Sequence, residues 1–165
     1  MTKTYNILFI CAGNSARSVL GEALATTLSH GRFIGYSAGT DPEGEVHSEA
    51  TKMAKEMGYP ANLLRSKSWD EFAREGSPHM DFIITLCDEA AGEECPYWPG
   101  HPATAHWGIA DPAHDNQTPE EAHNAFKKAE MALRNRLELL LDLPDEKLHH
   151  LEISDHLENI HKQFA

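Results

Sequence analysis

The chain is poor in positive charge, in cysteine and in long apolar stretches. Its 165 residues carry 14 Lys and Arg against 26 Asp and Glu, so the formal net charge is −12. This charge argues against nucleic acid or an anionic membrane as a partner. No apolar run approaches the ~20 residues of a membrane span, and no signal-peptide pattern opens the sequence. We therefore expect a cytoplasmic protein.

Only three cysteines are present, Cys11, Cys87 and Cys95. An odd number rules out a fully paired disulfide framework, and in a reducing compartment such thiols are catalytic, redox-active or simply buried. The length suits one self-sufficient core, and neither a repeat nor a linker interrupts it. We expect a single domain over residues 1–165, with residues 145–165 as a C-terminal helical extension.

The stretch from Ile7 to Ser18 contains a thiol and a guanidinium at the two ends of a short loop. An apolar run over residues 7–10 predicts a strand, and Gly13-Asn14 tolerate the positive φ of a tight turn. Apolar residues then recur at three- and four-residue steps, which predicts a helix. Backbone N–H groups at a helix N-terminus stabilise an anion. The loop therefore predicts an oxyanion site formed by residues 12–18, which are Ala12, Gly13, Asn14, Ser15, Ala16, Arg17 and Ser18.

The same arrangement is expected to activate Cys11. Inward-pointing N–H groups, Arg17 and the Ser18 hydroxyl predict a Cys11 pKa lowered from ~8.5 to roughly 3.5–7.5, so that the thiolate is the resting form. The Arg17 guanidinium can hold two oxygens of a tetrahedral oxyanion at once. A chance spacing around an inert buried cysteine is the alternative. The direct succession of strand, Gly-Asn-Ser, Arg-Ser and helix favours the functional interpretation.

The remaining pattern alternates strands and helices. Further strands are expected over 32–38, 80–86 and 104–108, and helices over 46–57, 66–73, 119–143 and 145–164. Ser68 is the expected N-cap of the 66–73 segment. Such alternation predicts an α/β fold, a single-domain four-stranded parallel sheet with helices on both faces. A ligand then binds at the carboxyl end of the strands.

Cys87 directly follows the third predicted strand, so it is expected at the same sheet edge as Cys11. Cys95 comes eight residues later. A helix between them would place them ~12 Å apart, whereas a disulfide needs Cα atoms within about 6.8 Å. A bond between the two would therefore require this segment to unwind. Each cysteine alone is more simply a core residue, and the carboxylates of Glu89, Glu93 and Glu94 disfavour a thiolate.

The loop motif, Cys11, five residues, Arg17 and Ser18 with Gly13-Asn14-Ser15 inside, resembles that of the low-molecular-weight protein tyrosine phosphatase superfamily. Other motifs resemble its three-cysteine arsenate reductase branch, and the match covers about residues 5–142. These motifs are Thr85-Leu86-Cys87, Cys95-Pro96, His106-Trp107-Gly108 and Asp111-Pro112-Ala113. The chain departs from many relatives at Ala12 and Ala16, and in a slightly longer gap between Cys87 and Cys95.

This resemblance implies a low-molecular-weight phosphatase-like fold and the reduction of arsenate to arsenite in arsenic detoxification. It further implies that Cys11 attacks arsenic held by Arg17, that Asp111 assists the departing oxygen, and that Cys87 and Cys95 pass on a disulfide. No bound cofactor is implied. Reducing equivalents would come from NADPH through a thioredoxin or glutaredoxin-like partner, and phosphate and sulfate would bind where arsenate does.

Two other functions stay open at this point. One is a phosphatase that uses Cys11, Arg17 and Asp111, and the other is a non-catalytic oxyanion-binding or arsenic-sensing protein. The 11 histidines show no zinc-type spacing with cysteine, so no metal site is expected. Asn14, Ser37 and Ser66 could together hold a monovalent cation, as in some relatives of this fold.

Overall fold

The structure is a computed structural model that describes residues 4–87, 102–113, 116–148 and 153–164. Four strands lie within these ranges: β1 Tyr5–Cys11, β2 Phe33–Gly39, β3 Phe82–Thr85 and β4 Ala103–His106. The helices of the same ranges are α1 Arg17–Leu28, α2 Ser48–Met57, α3 Asp70–Ala73, α4 Pro119–Leu141, α5 Asp145–Leu148 and α6 Ile153–Lys162, with a 3-10 turn at Ala61–Leu63. No helix within them combines the length and apolar character needed to cross a membrane.

The strands form one parallel sheet in the order β2-β1-β3-β4, which confirms the predicted sheet. Every residue of strand β1 except Asn6 is buried, and residues 7–10 are wholly inaccessible to solvent. Because successive side chains of a strand point to opposite faces, this burial means that both faces are covered. Each such side chain contributes roughly 1.5–3 kcal/mol through burial.

Different helices cover the two faces. Gly21 of α1 lies so close to Phe9 that an added Cβ would meet the ring at 2.7 Å. On the other face, Tyr36 of β2 makes an edge contact with Phe72 of α3, at a ring separation of 5.6 Å. Helix α1 is buried on more than the one face that its apolar pattern predicts, since every residue from Ser18 to Ala25 is buried.

Helix α4 follows the sequence prediction closely. It begins with a capping box between Thr118 and Glu121, and Pro119 occupies its first turn. Apolar residues that recur at three- and four-residue steps are buried, namely Ala122, Phe126, Ala129, Leu133 and Leu137. The helix therefore packs as its 3.6-residue periodicity requires.

Other boundaries differ from the predictions by a few residues. Strands β3 and β4 are shorter than expected, and α3 begins after Trp69 instead of Ser68. The Ser68 hydroxyl still accepts the Asp70 N–H at 3.2 Å, as a capping side chain does. The single predicted C-terminal helix is represented by α5 and α6, and residues 149–152 between them lie outside the described ranges.

Candidate active site

The loop between β1 and α1 has its carbonyl groups turned outward. Backbone N–H groups of the segment after β2 donate to them at 2.8–3.2 Å, in the pairs Thr40 to Cys11, Asp41 to Ala12, Glu43 to Gly13 and His47 to Ser15. In a trans peptide the carbonyl and the next N–H point in opposite directions. The N–H groups of residues 12, 13, 14 and 16 therefore point to the inside of the loop, where they can bind an anion.

Asn14 gives the loop its shape. Its backbone has φ +47°, in the left-handed region that asparagine tolerates. Its buried side chain uses both polar atoms, because Nδ2 donates to Ser18 Oγ at 2.8 Å and Oδ1 accepts the Lys67 N–H at 2.8 Å. The sequence motif indicated the bend at Asn14 but not the partner Lys67, which lies 53 residues away.

Cys11 lies at the base of this loop, only 3% exposed, with its Sγ 3.0 Å from Ser18 Oγ. Burial raises the pKa of the Cys11 thiol, and the Ser18 hydroxyl, Arg17 and Asn14 act against that rise. The prediction of a lowered Cys11 pKa is thus wrong for this structure. The spacing of the motif identifies the groups that favour the thiolate, but not the loss of hydration that outweighs them.

Gly39 allows the loop to approach β2. It pairs with Cys11 in the parallel register, and a Cβ at this position would meet the Ala12 carbonyl oxygen at 2.5 Å. No side chain fits at such a separation. The sequence analysis did not include Gly39 among the site residues, although its position directly after a predicted strand was a signal of close backbone approach.

A buried polar cluster lies behind the loop. The Glu22 carboxylate, 4% exposed, accepts the Ser37 hydroxyl at 2.6 Å and the Tyr59 hydroxyl in a short hydrogen bond, and Lys67 Nζ lies 3.7 Å from it. Burial raises the pKa of Tyr59 and lowers that of Lys67. We call Glu22, Ser37, Tyr59 and Lys67 the carboxylate cluster.

The carboxylate cluster bears on Asn14, Ser37 and Ser66, the residues compared above with a monovalent cation site of some relatives. Lys67 Nζ donates to Ser37 Oγ at 3.3 Å, so a protein ammonium already lies beside one of these three residues. Ser66 instead donates to the Gly13 carbonyl at 3.0 Å. Among the described residues, no three His, Cys, Asp or Glu side chains come together as a metal ion requires.

Arg17 and Asp111 face each other across the mouth of the loop. Arg17 Nη1 donates to the Ile109 carbonyl at 2.8 Å, and Nη2 lies 3.6 Å from Asp111 Oδ2. The Asp111 side chain is 49% exposed, whereas that of Arg17 is 12% exposed. The segment after β4 therefore holds the Arg17 guanidinium in place through the Ile109 carbonyl, and Asp111 lies nearer to solvent.

A cavity of about 590 Å³ adjoins Arg17 and brings three of the predicted site residues together. Arg17, Cys87 and Asp111 line it, along with Leu86, His106, Gly108, Ile109, Ala110 and His161. Cys87 is 6% exposed and follows Leu86, whose N–H donates to the Ile10 carbonyl at 2.8 Å. Cys87 thus lies one strand away from Cys11, at the same sheet edge. Cys95 lies outside the described residues.

Residues of the C-terminal helix also reach this cavity, which the sequence analysis did not predict. His161 of α6 lies in the cavity wall, and its Nδ1 accepts the Arg136 Nε–H at 3.1 Å. The ring of His106 lies 6.5 Å from that of His161. Histidine spacing alone carried no signal for this pair, because the packing of α6 on β4 brings them together.

Comparison with known proteins supports a common origin for this site. The family model for low molecular weight phosphotyrosine protein phosphatase matches residues 6–153. The arsenate reductase of Bacillus subtilis (strain 168) is 34% identical over 131 residues, which cover 79% of this chain and 91% of that protein. The arsenate reductase of Halalkalibacterium halodurans is 33% identical over a stretch of the same coverage.

Solved structures share the fold. One described as an arsenate reductase in the phosphate binding state has a TM-score of 0.64 at 28% identity, over 84% of this chain and 97% of that chain. The tyrosine phosphatase Wzb from Escherichia coli K30, in complex with sulphate, has a TM-score of 0.61 at 22% identity, over 83% of this chain and 99% of that chain. The same fold thus occurs in a reductase and in a phosphatase.

Proposed function

This chain belongs to the low molecular weight phosphotyrosine protein phosphatase family, and the two bacterial relatives described above are arsenate reductases, so we propose that it reduces arsenate to arsenite in arsenic detoxification. One observation carries the proposal. Arg17, Asp111 and a second thiol, Cys87, line one cavity beside the loop that contains Cys11. A phosphatase needs a single nucleophilic thiol, whereas a thiol-based reductase needs at least two.

Arsenate binds in the loop. The inward-pointing N–H groups of residues 12, 13, 14 and 16 and the Arg17 guanidinium surround its oxygens, and the adjacent helix N-terminus favours its charge. Phosphate and sulfate have the same tetrahedral shape and charge, and they bind in the same place. In a protein of net charge −12, this positive region is local to the loop.

In the first step the Cys11 sulfur attacks arsenic and forms a sulfur–arsenic bond. The thiol proton and an arsenate hydroxyl leave together as water, with Asp111 passing the proton. Burial raises the pKa of Cys11, so the thiol loses its proton during the attack, and the Ser18 hydroxyl 3.0 Å away stabilises the charge on sulfur.

In the second step Cys87 attacks the sulfur of Cys11. A disulfide forms between the two, the sulfur–arsenic bond breaks, and its electron pair goes to arsenic, which is reduced from the +5 to the +3 state. The Cys87 thiol proton ends on an oxygen of the released arsenite. Cys95 then exchanges with this bond to give a Cys87–Cys95 disulfide and a reduced Cys11.

The reaction needs no bound cofactor, since the oxidised product is a protein disulfide. Electrons come from NADPH through a thioredoxin or glutaredoxin-like partner that reduces the Cys87–Cys95 bond. A protein with reactive thiols and such a partner works in the cytoplasm, where thiols are kept reduced.

The test is arsenate-dependent NADPH oxidation with thioredoxin and its reductase, repeated with a glutaredoxin system. Wild type turns over, Cys11→Ser and Cys87→Ser release no arsenite, and Cys95→Ser releases one arsenite per chain and stops. Phosphate affinity is the control, because Cys87→Ser and Cys95→Ser leave the loop intact.

Two other results would overturn the proposal. Hydrolysis of an aryl phosphate that needs Cys11 but neither Cys87 nor Cys95, without arsenite release, would identify a phosphatase. Tight arsenate binding with no turnover under either reductant would identify an oxyanion-binding or sensing protein.

A further inference from the structure

Helix α6 is anchored to the sheet next to the proposed active site. The indole N–H of Trp107 donates to the Leu157 carbonyl at 2.9 Å, and the His106 N–H donates to Glu158 Oε1 at 2.8 Å. Leu157 and Ile160 are buried. These contacts fix the turn that carries His161, so this side chain has a defined place in the cavity wall.

Arg136 of α4 determines which ring nitrogen of His161 carries the proton. Its Nε–H donates to His161 Nδ1, and a guanidinium is always a donor. Nδ1 must therefore be unprotonated, which leaves the hydrogen of the neutral imidazole on Nε2. Arg136 is itself held in place, since it is 5% exposed and also donates to the Ala132 carbonyl at 2.8 Å.

The charged groups around His161 favour this neutral form. Burial and the positive charge of Arg136 lower the pKa of His161, and Glu158 of its own helix acts in the opposite direction. His106 on β4 adds to the lowering, while Arg17 and Asp111 lie in the wall of the same cavity. His161 thus presents a fixed N–H donor that stays uncharged near neutral pH.

The cavity contains one of the two thiols of the proposed reaction, that of Cys87, in its wall. Arg17 is the only one of residues 11–18 that lines the cavity. Cys87 and His161 also line it. An oxyanion held by the loop N–H groups therefore lies outside most of this space. The sulfur of Cys87 lies in this space, and it carries negative charge once its thiol proton has left for the arsenate oxygen and before it attacks Cys11.

We propose that His161 Nε2–H donates a hydrogen bond to the Cys87 thiolate from which the attack on Cys11 starts, and that Arg136 is a positioning residue for this donor. The inference rests on the proposed function and names a further residue for its second step. The step stays balanced as written above, because the neutral His161 neither takes nor gives up a proton.

The experiment uses the full chain in a Cys95→Ser background, where the reaction stops at the Cys11–Cys87 disulfide. His161→Phe keeps a ring of similar shape without a donor, and His161→Gln keeps an N–H donor that does not titrate. A hydrogen bond to a charged sulfur is lost in the first variant, so disulfide formation after one arsenate turnover slows about tenfold or more. His161→Gln recovers most of the rate, and phosphate affinity changes less than twofold in both.

Two further measurements separate this inference from the proposed function. Hydrogen peroxide converts Cys11 to a sulfenic acid. Cys87 then attacks the sulfur of this group, whose hydroxyl leaves as water, and the same disulfide forms. His161→Phe slows this reaction even if arsenate is not a substrate. Nitrogen-15 NMR of the wild type shows the hydrogen of the neutral His161 ring on Nε2. Arg136→Gln removes this preference for Nε2 over Nδ1. Equal rates for wild type and His161→Phe, equal losses in the Phe and Gln variants, or a parallel loss of phosphate affinity would each overturn the proposal.

Discussion

The side-chain oxygen of Asn14 accepts the backbone N–H of Lys67 at 2.8 Å, and this bond joins the loop between β1 and α1 to the carboxylate cluster behind it. Through Asn14 Nδ2 the connection continues to Ser18 and so to the Cys11 sulfur. Cys11, the proposed nucleophile, is thus connected through polar contacts and the Lys67 side chain to a buried carboxylate. Perturbing either end of this connection is expected to alter the loop.

We expect Asn14→Ala to weaken phosphate binding at least tenfold, because it removes two buried hydrogen bonds and places an alanine at φ +47°. Asn14→Gly is the matched control, since it removes the same hydrogen bonds without backbone strain. Asn14→Gly should therefore be more stable than Asn14→Ala but should bind phosphate as weakly. Full affinity in the glycine variant would show that Asn14 matters only for its backbone conformation.

Gly39→Ala is expected to destabilise the protein by about 1–3 kcal/mol and to weaken phosphate binding, because the new Cβ displaces the Ala12 carbonyl. Urea unfolding and calorimetric titration with phosphate measure the two effects. Phe33→Leu is a control that perturbs the core at the other end of β2, away from the loop. It should lower stability and leave the phosphate affinity unchanged.

Lys67→Met should cost about 3 kcal/mol of stability, because it leaves the Glu22 carboxylate buried without its cation. The double variant with Glu22→Gln removes both charges and should be more stable than Lys67→Met alone. Urea unfolding of the four proteins in this cycle gives the coupling. Simple additivity of the two single effects would mean that the 3.7 Å contact contributes nothing.

Asp111→Asn is expected to slow the first chemical step about 100-fold, because an amide cannot pass the proton to the departing oxygen. Phosphate affinity should rise by less than tenfold, since a carboxylate 3.6 Å from the Arg17 guanidinium no longer repels the anion. Asp41→Asn removes the same charge from the outer side of the loop and serves as the control. A fall in affinity for Asp111→Asn would contradict the assigned role.

The lowered pKa of His161 has a consequence for stability at acidic pH. The unfolded chain protonates this residue near its ordinary value of ~6.5, whereas the folded chain keeps it neutral to lower pH. The unfolded state then binds more protons, so the folded state loses stability as the pH falls below ~6.5. Glutamine does not titrate, so wild type should lose more stability than His161→Gln between pH 7.5 and 5.5 in urea unfolding.

The sequence determined the parts of this site that lie within one continuous stretch or at the end of a predicted strand. Cys11, Arg17 and the loop between them are local, so their spacing alone predicted an anion site. The position of Cys87 was predicted from a second rule, that the carboxyl ends of parallel strands meet at one edge. These two inferences need only the direction of the chain and the hydrophobic pattern of its strands, whereas Asp111 was predicted from the resemblance of its Asp-Pro-Ala motif to the reductase branch.

Tertiary structure alone decided the long-range partners of these residues and the hydration of their charged groups. Lys67 reaches Asn14 across 53 residues, and Arg17 reaches the Ile109 carbonyl across 92, through partners that no local pattern selects. His161 enters the cavity because α6 packs on β4, and Cys11 has a raised pKa because the folded chain excludes water from its sulfur. The sequence determined which groups we propose for the chemistry. Hydration and long-range partners depend on the packing of the whole chain, so only the folded structure determined how strongly each group is charged and what holds it in place.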